Sequence, residues 1–174
     1  MFAKLGHPTS HRVRWYLQQF IKMSYCYMTD NDYAVWDVDT IPLKKINFID
    51  EHGRSLMNKK RAHHKPYFYL IDKLFDGKLK TFNFSFITEA MFIRNAYMKE
   101  MIDKIGGKDK FIENIMANVL PSEVIHSGFS EFETYGTYVM NCYPDTVAFR
   151  SWKTERNGGN IFRYVPTPEE LDAY

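Results

Sequence analysis

Two aspartates, Asp37 and Asp39, have the side-chain type and spacing best suited to chemistry in this sequence. They directly follow the apolar run 33–36, which predicts a short strand. The strand period of two then places both carboxylates on one side of the chain, with Val38 turned away. Neighbouring carboxylates repel each other unless a cation joins them, and Mg²⁺ is typically held by one or two carboxylates together with substrate phosphates. The spacing therefore indicates a divalent-cation site, and a solvated polar turn is the alternative.

A second acidic segment, Ser130-Glu131-Phe132-Glu133, has the Ser-x-x-Glu pattern of a capping box at a helix N-terminus. The pattern predicts that Glu133 pairs with Ser130 in the cap. Glu131 is not needed for the cap and is therefore free to face a cleft. Because a helix N-terminus stabilises an ionised carboxylate, it also makes Glu131 a weaker base. A surface glutamate that complements the helix dipole is the alternative.

Three segments, in this order, resemble parts of the GT-A-type glycosyltransferases, specifically of a glycosyltransferase-like family of bacterial and viral proteins. Residues 15–22 are similar to the helix that precedes the Asp-x-Asp motif. Residues 33–48 resemble the segment in which an apolar strand ends in Asp-x-Asp-Thr and a proline-containing turn follows. Residues 130–136 resemble a Ser-Glu-aromatic-Glu segment of the family. The resemblance implies an α/β, GT-A-like fold, a single domain over residues 1–174 with a mixed sheet flanked by helices.

The resemblance also implies a function, namely metal-dependent transfer of a sugar from a nucleotide-sugar donor to a glycan or other hydroxyl acceptor, as in polysaccharide biosynthesis. Asp37 and Asp39 would hold Mn²⁺ or Mg²⁺ against the donor diphosphate. Glu131 would take the proton of the acceptor hydroxyl. Arg156 would contact the donor diphosphate from a polar loop near the C-terminus, and Glu89 is the next candidate for the base.

The region before the motif departs from the family pattern. Only 36 residues precede Asp37, which leaves room for a short lead-in and one helix. The GT-A fold normally has a longer βαβ section there, and that section binds the nucleotide base. We therefore expect a shortened N-terminal nucleotide-binding section. This departure favours a second interpretation, a degenerate, non-catalytic carbohydrate- or partner-binding domain kept for its aromatic groove.

Other charged segments have both a functional and a structural interpretation. The basic run 59–65 precedes a predicted helix, so it either binds a phosphate or forms a solvated loop. Glu89 and Arg94 lie where a predicted strand gives way to a helix, and either face the cleft or form an ordinary ion pair. His126 either completes a metal shell or contacts the acceptor, or it is a structural histidine.

Composition excludes several classes of protein. The hydrophobic fraction of 45% and the aromatic fraction of 17% indicate a folded chain, and the net charge of +2 is too small to imply nucleic-acid binding. Residues 1–80 carry 14 Lys and Arg against 8 Asp and Glu, which suits a phosphate-bearing donor. Cys26 and Cys142 offer neither metal spacing nor a disulfide framework, as expected for a cytoplasmic protein. No apolar run approaches the length of a membrane span.

Hydrophobic periodicity predicts helices over 11–28, 94–105 and 109–120, a helix from Pro66 to Gly77, and a capped helix after Ser130. It predicts strands over 33–36, 46–49, 81–93 and 146–152. The first helix is expected to bury Val13, Leu17, Phe20, Ile21 and Met28. Gln18, Gln19 and Lys22 are expected to face solvent.

Overall fold

A computed structural model describes residues 10–61, 63–151, 154–155, 158–162 and 164–173, which form helices, four short strands and the loops between them. The strands are β1 (Tyr33–Trp36), β2 (Ser55–Asn58), β3 (Ala90–Ile93) and β4 (Val147–Arg150). The helices are α1 (Ser10–Ser24), α2 (Lys65–Leu74), α3 (Asn95–Lys104), α4 (Phe111–Asn118), α5 (Glu131–Cys142), α6 (Gly158–Ile161) and α7 (Pro168–Ala173).

The four strands form two hydrogen-bonded pairs of opposite type. β1 is antiparallel to β3, with Tyr33 opposite Ile93, whereas β2 is parallel to β4, with Ser55 opposite Val147. β3 also lies against β2, so the two pairs are neighbours. The chain is thus a small single-domain α/β protein with a small mixed arrangement of strands. No helix in the described ranges has both the length and the apolar character needed to cross a membrane.

Helix α5 is the centre of the core. Every residue from Glu131 to Val139 is buried, and α1, α2 and α3 all pack against this helix. Phe86, from the loop before β3, lies against α5 at Gly136. The largest fully buried side chains around them are Tyr16, Tyr135, Tyr138, Phe86, Phe111 and Phe129. Since these rings bury large apolar areas, they contribute much of the hydrophobic stabilisation.

The buried face of α1 is not the one that the sequence predicts. Tyr16, Phe20 and Met23 are buried, whereas Leu17 is 54% exposed and Ile21 is 59% exposed. The helix carries two apolar stripes, and the stripe with two aromatic rings is the one that enters the core, where Phe20 packs against Phe111 and Phe129. The prediction for Gln19 and Lys22 is also wrong, because Gln19 is buried and the Lys22 side chain is only 14% exposed.

Two of the predicted strands are mostly loop. The segment 46–49 contributes one antiparallel bridge from Ile49 to Ser55, and the turn 50–53 closes with a hydrogen bond from the Gly53 N–H to the Asp50 carbonyl at 3.0 Å. In the segment 81–93, only Ala90–Ile93 pairs with another strand of the sheet. The alternating rings of Phe82, Phe84 and Phe86 instead pack against one another in a loop.

Candidate functional site

The carboxyl ends of three strands meet at one edge, where polar side chains join them. The Asp37 N–H, just after β1, donates to the Glu89 carbonyl just before β3 at 2.9 Å. Asn58, at the end of β2, donates from Nδ2 to Thr88 Oγ1 at 3.0 Å. Arg150, at the end of β4, donates from Nε to Asn58 Oδ1 at 3.1 Å. Ligands commonly bind at such an edge in α/β proteins.

The N-terminus of α5 lies at this same edge. The Ser130 hydroxyl caps the helix by accepting a hydrogen bond from the Glu133 N–H at 3.3 Å, as the sequence predicts. Gln19 Oε1, on α1, accepts the Glu131 N–H at 3.1 Å and thereby ties the two helices together. This contact fixes the first residue of α5 against the middle of α1.

The Lys22 ammonium joins the two acidic segments. Its Nζ lies 2.9 Å from Asp37 Oδ1 and 2.9 Å from Glu131 Oε1. The same ammonium lies 4.6 Å from the centre of the Phe132 ring, at cation–π distance. The Glu131 side chain is 7% exposed and that of Asp37 is 32% exposed. We call Lys22, Asp37 and Glu131 the acid–lysine cluster.

Burial sets the electrostatics of the acid–lysine cluster. Burial raises the pKa of Glu131 above its ordinary value, and the Lys22 ammonium offsets part of that rise. For Lys22, burial lowers the pKa, but Glu131 and Asp37 outweigh it, so the net shift is upward and the ammonium stays charged. The sequence predicts that the helix N-terminus makes Glu131 a weaker base. In the structure the net shift is the opposite, because burial strengthens the affinity of the Glu131 carboxylate for a proton.

Asp39 lies outside the acid–lysine cluster. The strand ends at Trp36, and residues 37–40 form a turn in which the Thr40 N–H donates to the Asp37 carbonyl at 3.0 Å. The alternation of side chains along a strand therefore does not apply to Asp37 and Asp39, which follow the end of β1. The Asp39 residue is exposed, and Val38 between them is 98% exposed.

The two aspartates offer at most part of a cation site. Both side chains offer hard oxygen ligands, Asp37 is partly accessible, and Asp39 follows in the same turn. In the part of the chain that the structure describes, no three or more His, Cys, Asp and Glu side chains form a group able to hold a metal ion. The residues therefore fit an ion held jointly with phosphate oxygens and water, as Mg²⁺ often is, and not an all-protein cage.

Glu133 is buried away from the acid–lysine cluster. The Ser85 hydroxyl donates to Glu133 Oε2 at 2.5 Å, and the Phe86 N–H donates to the same oxygen at 3.3 Å. Its carboxylate thus holds the loop before β3 and is not the reciprocal capping partner of Ser130 that the sequence predicts. Burial raises the pKa of Glu133, while these hydrogen bonds offset part of the rise.

Two of the remaining candidate residues, Glu89 and Arg94, form ion pairs with other residues. Glu89 forms an ion pair with Lys60 at 2.5 Å. Arg94 does not pair with Glu89 but with Asp32, at 2.8 Å. His126 is exposed, and Arg156 lies outside the described residues.

The basic run 59–65 is partly engaged with the protein. Besides the Lys60 ion pair, Lys59 lies 3.6 Å from the centre of the Phe149 ring. His64 directly precedes α2, and its Nε2 lies 2.9 Å from the Ser127 carbonyl oxygen. The run is therefore only partly a solvated loop, and Lys59, Arg61 and Lys65 are exposed.

Sequence reasoning missed Lys22 and Gln19 as site residues. Both lie in the segment 15–22 that resembles the helix before the Asp-x-Asp motif, and they are three residues apart, which places them on one side of a helix. That spacing is the signal that could have found them.

The chain matches no family model, no curated protein and no solved structure at a significant level.

Proposed function

We propose that this protein is a metal-dependent glycosyltransferase, which moves a sugar from a nucleotide-sugar donor to a glycan or other hydroxyl acceptor. The observation that carries the proposal is the contact of Asp37 and Glu131 with one ammonium, each at 2.9 Å. The two segments that resemble parts of GT-A enzymes are far apart in sequence, and one acidic residue of each, Asp37 and Glu131, contacts the Lys22 ammonium. In an inverting enzyme of this kind, the donor-side carboxylate and the acceptor-side base must be close together.

In this proposal each residue has one role. Asp37 and Asp39 hold Mn²⁺ or Mg²⁺, which neutralises the charge that develops on the leaving diphosphate. Glu131 accepts the proton of the acceptor hydroxyl, and its burial favours that role because it raises the affinity of the carboxylate for a proton. Gln19 orients Glu131 by accepting its backbone N–H.

The first experiment measures binding of the donor. Calorimetry with UDP, GDP and CMP, with Mn²⁺ or with a chelator, is expected to show tighter nucleotide binding in the presence of the ion. Asp37→Asn should abolish the gain, because it removes the charge that holds the ion. Asp72→Asn is a matched control, since Asp72 is an exposed aspartate on α2. Equal affinity in chelator and in Mn²⁺ would rule out the proposed cation site.

The second experiment measures chemistry. Many transferases slowly hydrolyse their donor when no acceptor is present, so nucleotide release from a panel of UDP-, GDP- and CMP-sugars with Mn²⁺ reports on activity. Release from one donor, lost in Asp37→Asn, supports the enzyme.

A degenerate, non-catalytic carbohydrate- or partner-binding domain is the second candidate. The observation that favours it is again Lys22, because its ammonium already pairs with both carboxylates without any metal. If no donor of the panel releases its nucleotide and the protein binds glycans, the result would favour this candidate over the enzyme.

A further inference from the structure

The Lys22 side chain is held firmly in the acid–lysine cluster. Its backbone carbonyl accepts a hydrogen bond from the Tyr33 hydroxyl at 3.0 Å, which ties this turn of α1 to β1. Its ammonium contacts Asp37 and Glu131 and lies over the Phe132 ring. The ammonium is therefore part of a packed arrangement of α1, β1 and α5, unlike a solvated surface lysine.

The charges of the acid–lysine cluster do not balance. When both carboxylates are ionised, the single ammonium leaves one negative charge in a partly buried site, which favours an additional or stronger cation. The Asp37 side chain is 32% exposed and that of Glu131 only 7%, so an ion that enters from solvent meets Asp37 first. A hard divalent ion prefers carboxylate oxygens and carries twice the charge of the ammonium. It therefore competes with Lys22 for Asp37.

We propose that Lys22 is the resident cation of this site, and that a divalent ion binds at Asp37 only by displacing the Lys22 ammonium from that carboxylate. The ammonium then remains with Glu131 alone. The identity of the incoming ion rests on the proposed function, but the competition itself is a property of these three side chains. The protein without nucleotide would accordingly bind Mn²⁺ or Mg²⁺ weakly.

The test measures Mn²⁺ affinity by calorimetry in the absence of any nucleotide, for the wild type and for Lys22→Met. Methionine keeps an unbranched stem beside Phe132 but removes the charge. We expect Mn²⁺ to bind the variant at least about tenfold more tightly, since each factor of ten corresponds to about 1.4 kcal/mol of lost competition. Equal or weaker binding in Lys22→Met would overturn the proposal.

Lys60→Met is the matched control for this measurement. Lys60 also forms a partly buried ion pair at the same edge, with Glu89, so its loss removes a comparable ammonium from a single carboxylate partner. We expect Mn²⁺ affinity to stay near the wild-type value in Lys60→Met. A similar gain in both variants would mean that any lost lysine increases affinity through net charge, and it would overturn a specific role for Lys22.

Thermal unfolding gives a second readout of the same idea. Lys22→Met leaves the buried carboxylate without its partner, so its Tm should fall by roughly 10 °C in chelator. Mn²⁺ should restore much of this loss, because an ion that binds only the folded state stabilises it. The Tm of the wild type and of Lys60→Met should respond little. A Tm of Lys22→Met that ignores Mn²⁺ would contradict the proposal.

A measurement on the wild type remains available where Lys22→Met does not fold. In protein labelled with ¹⁵N-lysine, the Lys22 ammonium resonance is identified by its loss in Lys22→Arg. Millimolar Mg²⁺ should shift or broaden this resonance, and Asp37→Asn should abolish the response. A resonance that stays unchanged under these conditions would overturn the displacement.

These outcomes are separable from the fate of the proposed function. Mn²⁺ competition in a protein that hydrolyses no nucleotide sugar would support the resident-cation role of Lys22 and contradict the transferase. Donor hydrolysis with no effect of Lys22→Met on Mn²⁺ affinity would support the transferase and contradict the role of Lys22.

Discussion

Phe86 and Gly136 approach each other so closely that no side chain fits at position 136. A β-carbon on Gly136 would lie 2.2 Å from Phe86 Cγ and 2.6 Å from Phe86 Cβ, far inside van der Waals contact. The Phe86 N–H in turn donates to Glu133 one turn earlier on α5. Gly136 therefore sets how closely the loop before β3 can approach α5, and with it the position of the strand edge that carries the site.

The first prediction follows from this contact. Alanine normally stabilises a helix relative to glycine, but at position 136 the methyl group would push Phe86 out of the core. We expect Gly136→Ala to lower the free energy of unfolding by about 3 kcal/mol, as measured by urea denaturation. Gly158→Ala is the control, because Gly158 begins α6 with nothing within 4 Å of a β-carbon, and its effect should stay within about 0.5 kcal/mol. Equal effects of the two variants would contradict the close approach.

The second prediction concerns the pH dependence of stability. Burial raises the pKa of Glu133 in the folded protein, so the folded state holds its proton to higher pH than the unfolded state, whose pKa is about 4.3. Below that pH the residue is neutral in both states and costs nothing. As pH rises above it, ionisation in the unfolded state reduces stability until the folded-state pKa is passed.

Glu133→Gln removes this cost but keeps an oxygen that accepts the Ser85 hydroxyl and the Phe86 N–H. We therefore expect the variant to gain stability relative to the wild type as the pH rises from about 4 to 7, measured by chemical denaturation at each pH. Glu133→Ala, which loses the hydrogen bonds as well, should be less stable than the wild type throughout. A difference between Glu133→Gln and the wild type that shrinks with rising pH would contradict the raised pKa.

The third prediction isolates the helix cap. The Ser130 hydroxyl accepts the Glu133 N–H at 3.3 Å, and its loss leaves a buried N–H without a partner. Ser130→Ala should cost about 1 kcal/mol of unfolding free energy, whereas Ser130→Asp, which offers a capping oxygen, should recover part of it. Thermal denaturation of the three proteins would detect this order. Full stability of Ser130→Ala would contradict a contribution of the cap.

The fourth prediction concerns turnover under the proposed function. Glu131→Gln keeps the size of the side chain but removes the base, so turnover should fall by roughly 10²-fold or more while donor affinity changes little. Glu133→Gln is the matched control, since it is another buried glutamate in the first turn of α5 and has no contact with Lys22 among the described side chains. A larger loss of turnover in Glu133→Gln than in Glu131→Gln would mean that the base is assigned to the wrong residue.

Local signals in the sequence predicted several elements well. Helix α2 begins beside Pro66 and is followed by Gly77 at a positive φ of 69°, which is where such residues favour the ends of a helix. The Ser130 cap is equally local. Each depends on residues within a few positions of one another, so the sequence alone contains the relevant information.

Features that depend on distant contacts were harder to predict. Helix α1 has two apolar stripes, and the core contacts of Phe20 with Phe111 and Phe129 decide which one is buried. The alternation of Phe82, Phe84 and Phe86 is typical of a strand, yet ring–ring packing satisfies these side chains without strand pairing. Likewise the sequence singled out Asp37 and Glu131, but Lys22 becomes a site residue only once α1 packs against both segments.

The pairing of β1 makes the rate of amide exchange at Ala34 informative. In the described part of the chain β1 pairs with β3 alone, and the Asp37 N–H donates toward the β3 side. Because the sides alternate along an antiparallel pair, the N–H groups of Tyr33 and Val35 also point toward β3, and that of Ala34 points away. Deuterium should therefore enter at Ala34 far sooner than at Val35. Slow exchange at Ala34 would reveal that another strand or partner covers this edge, and it would do so without any knowledge of what that partner is.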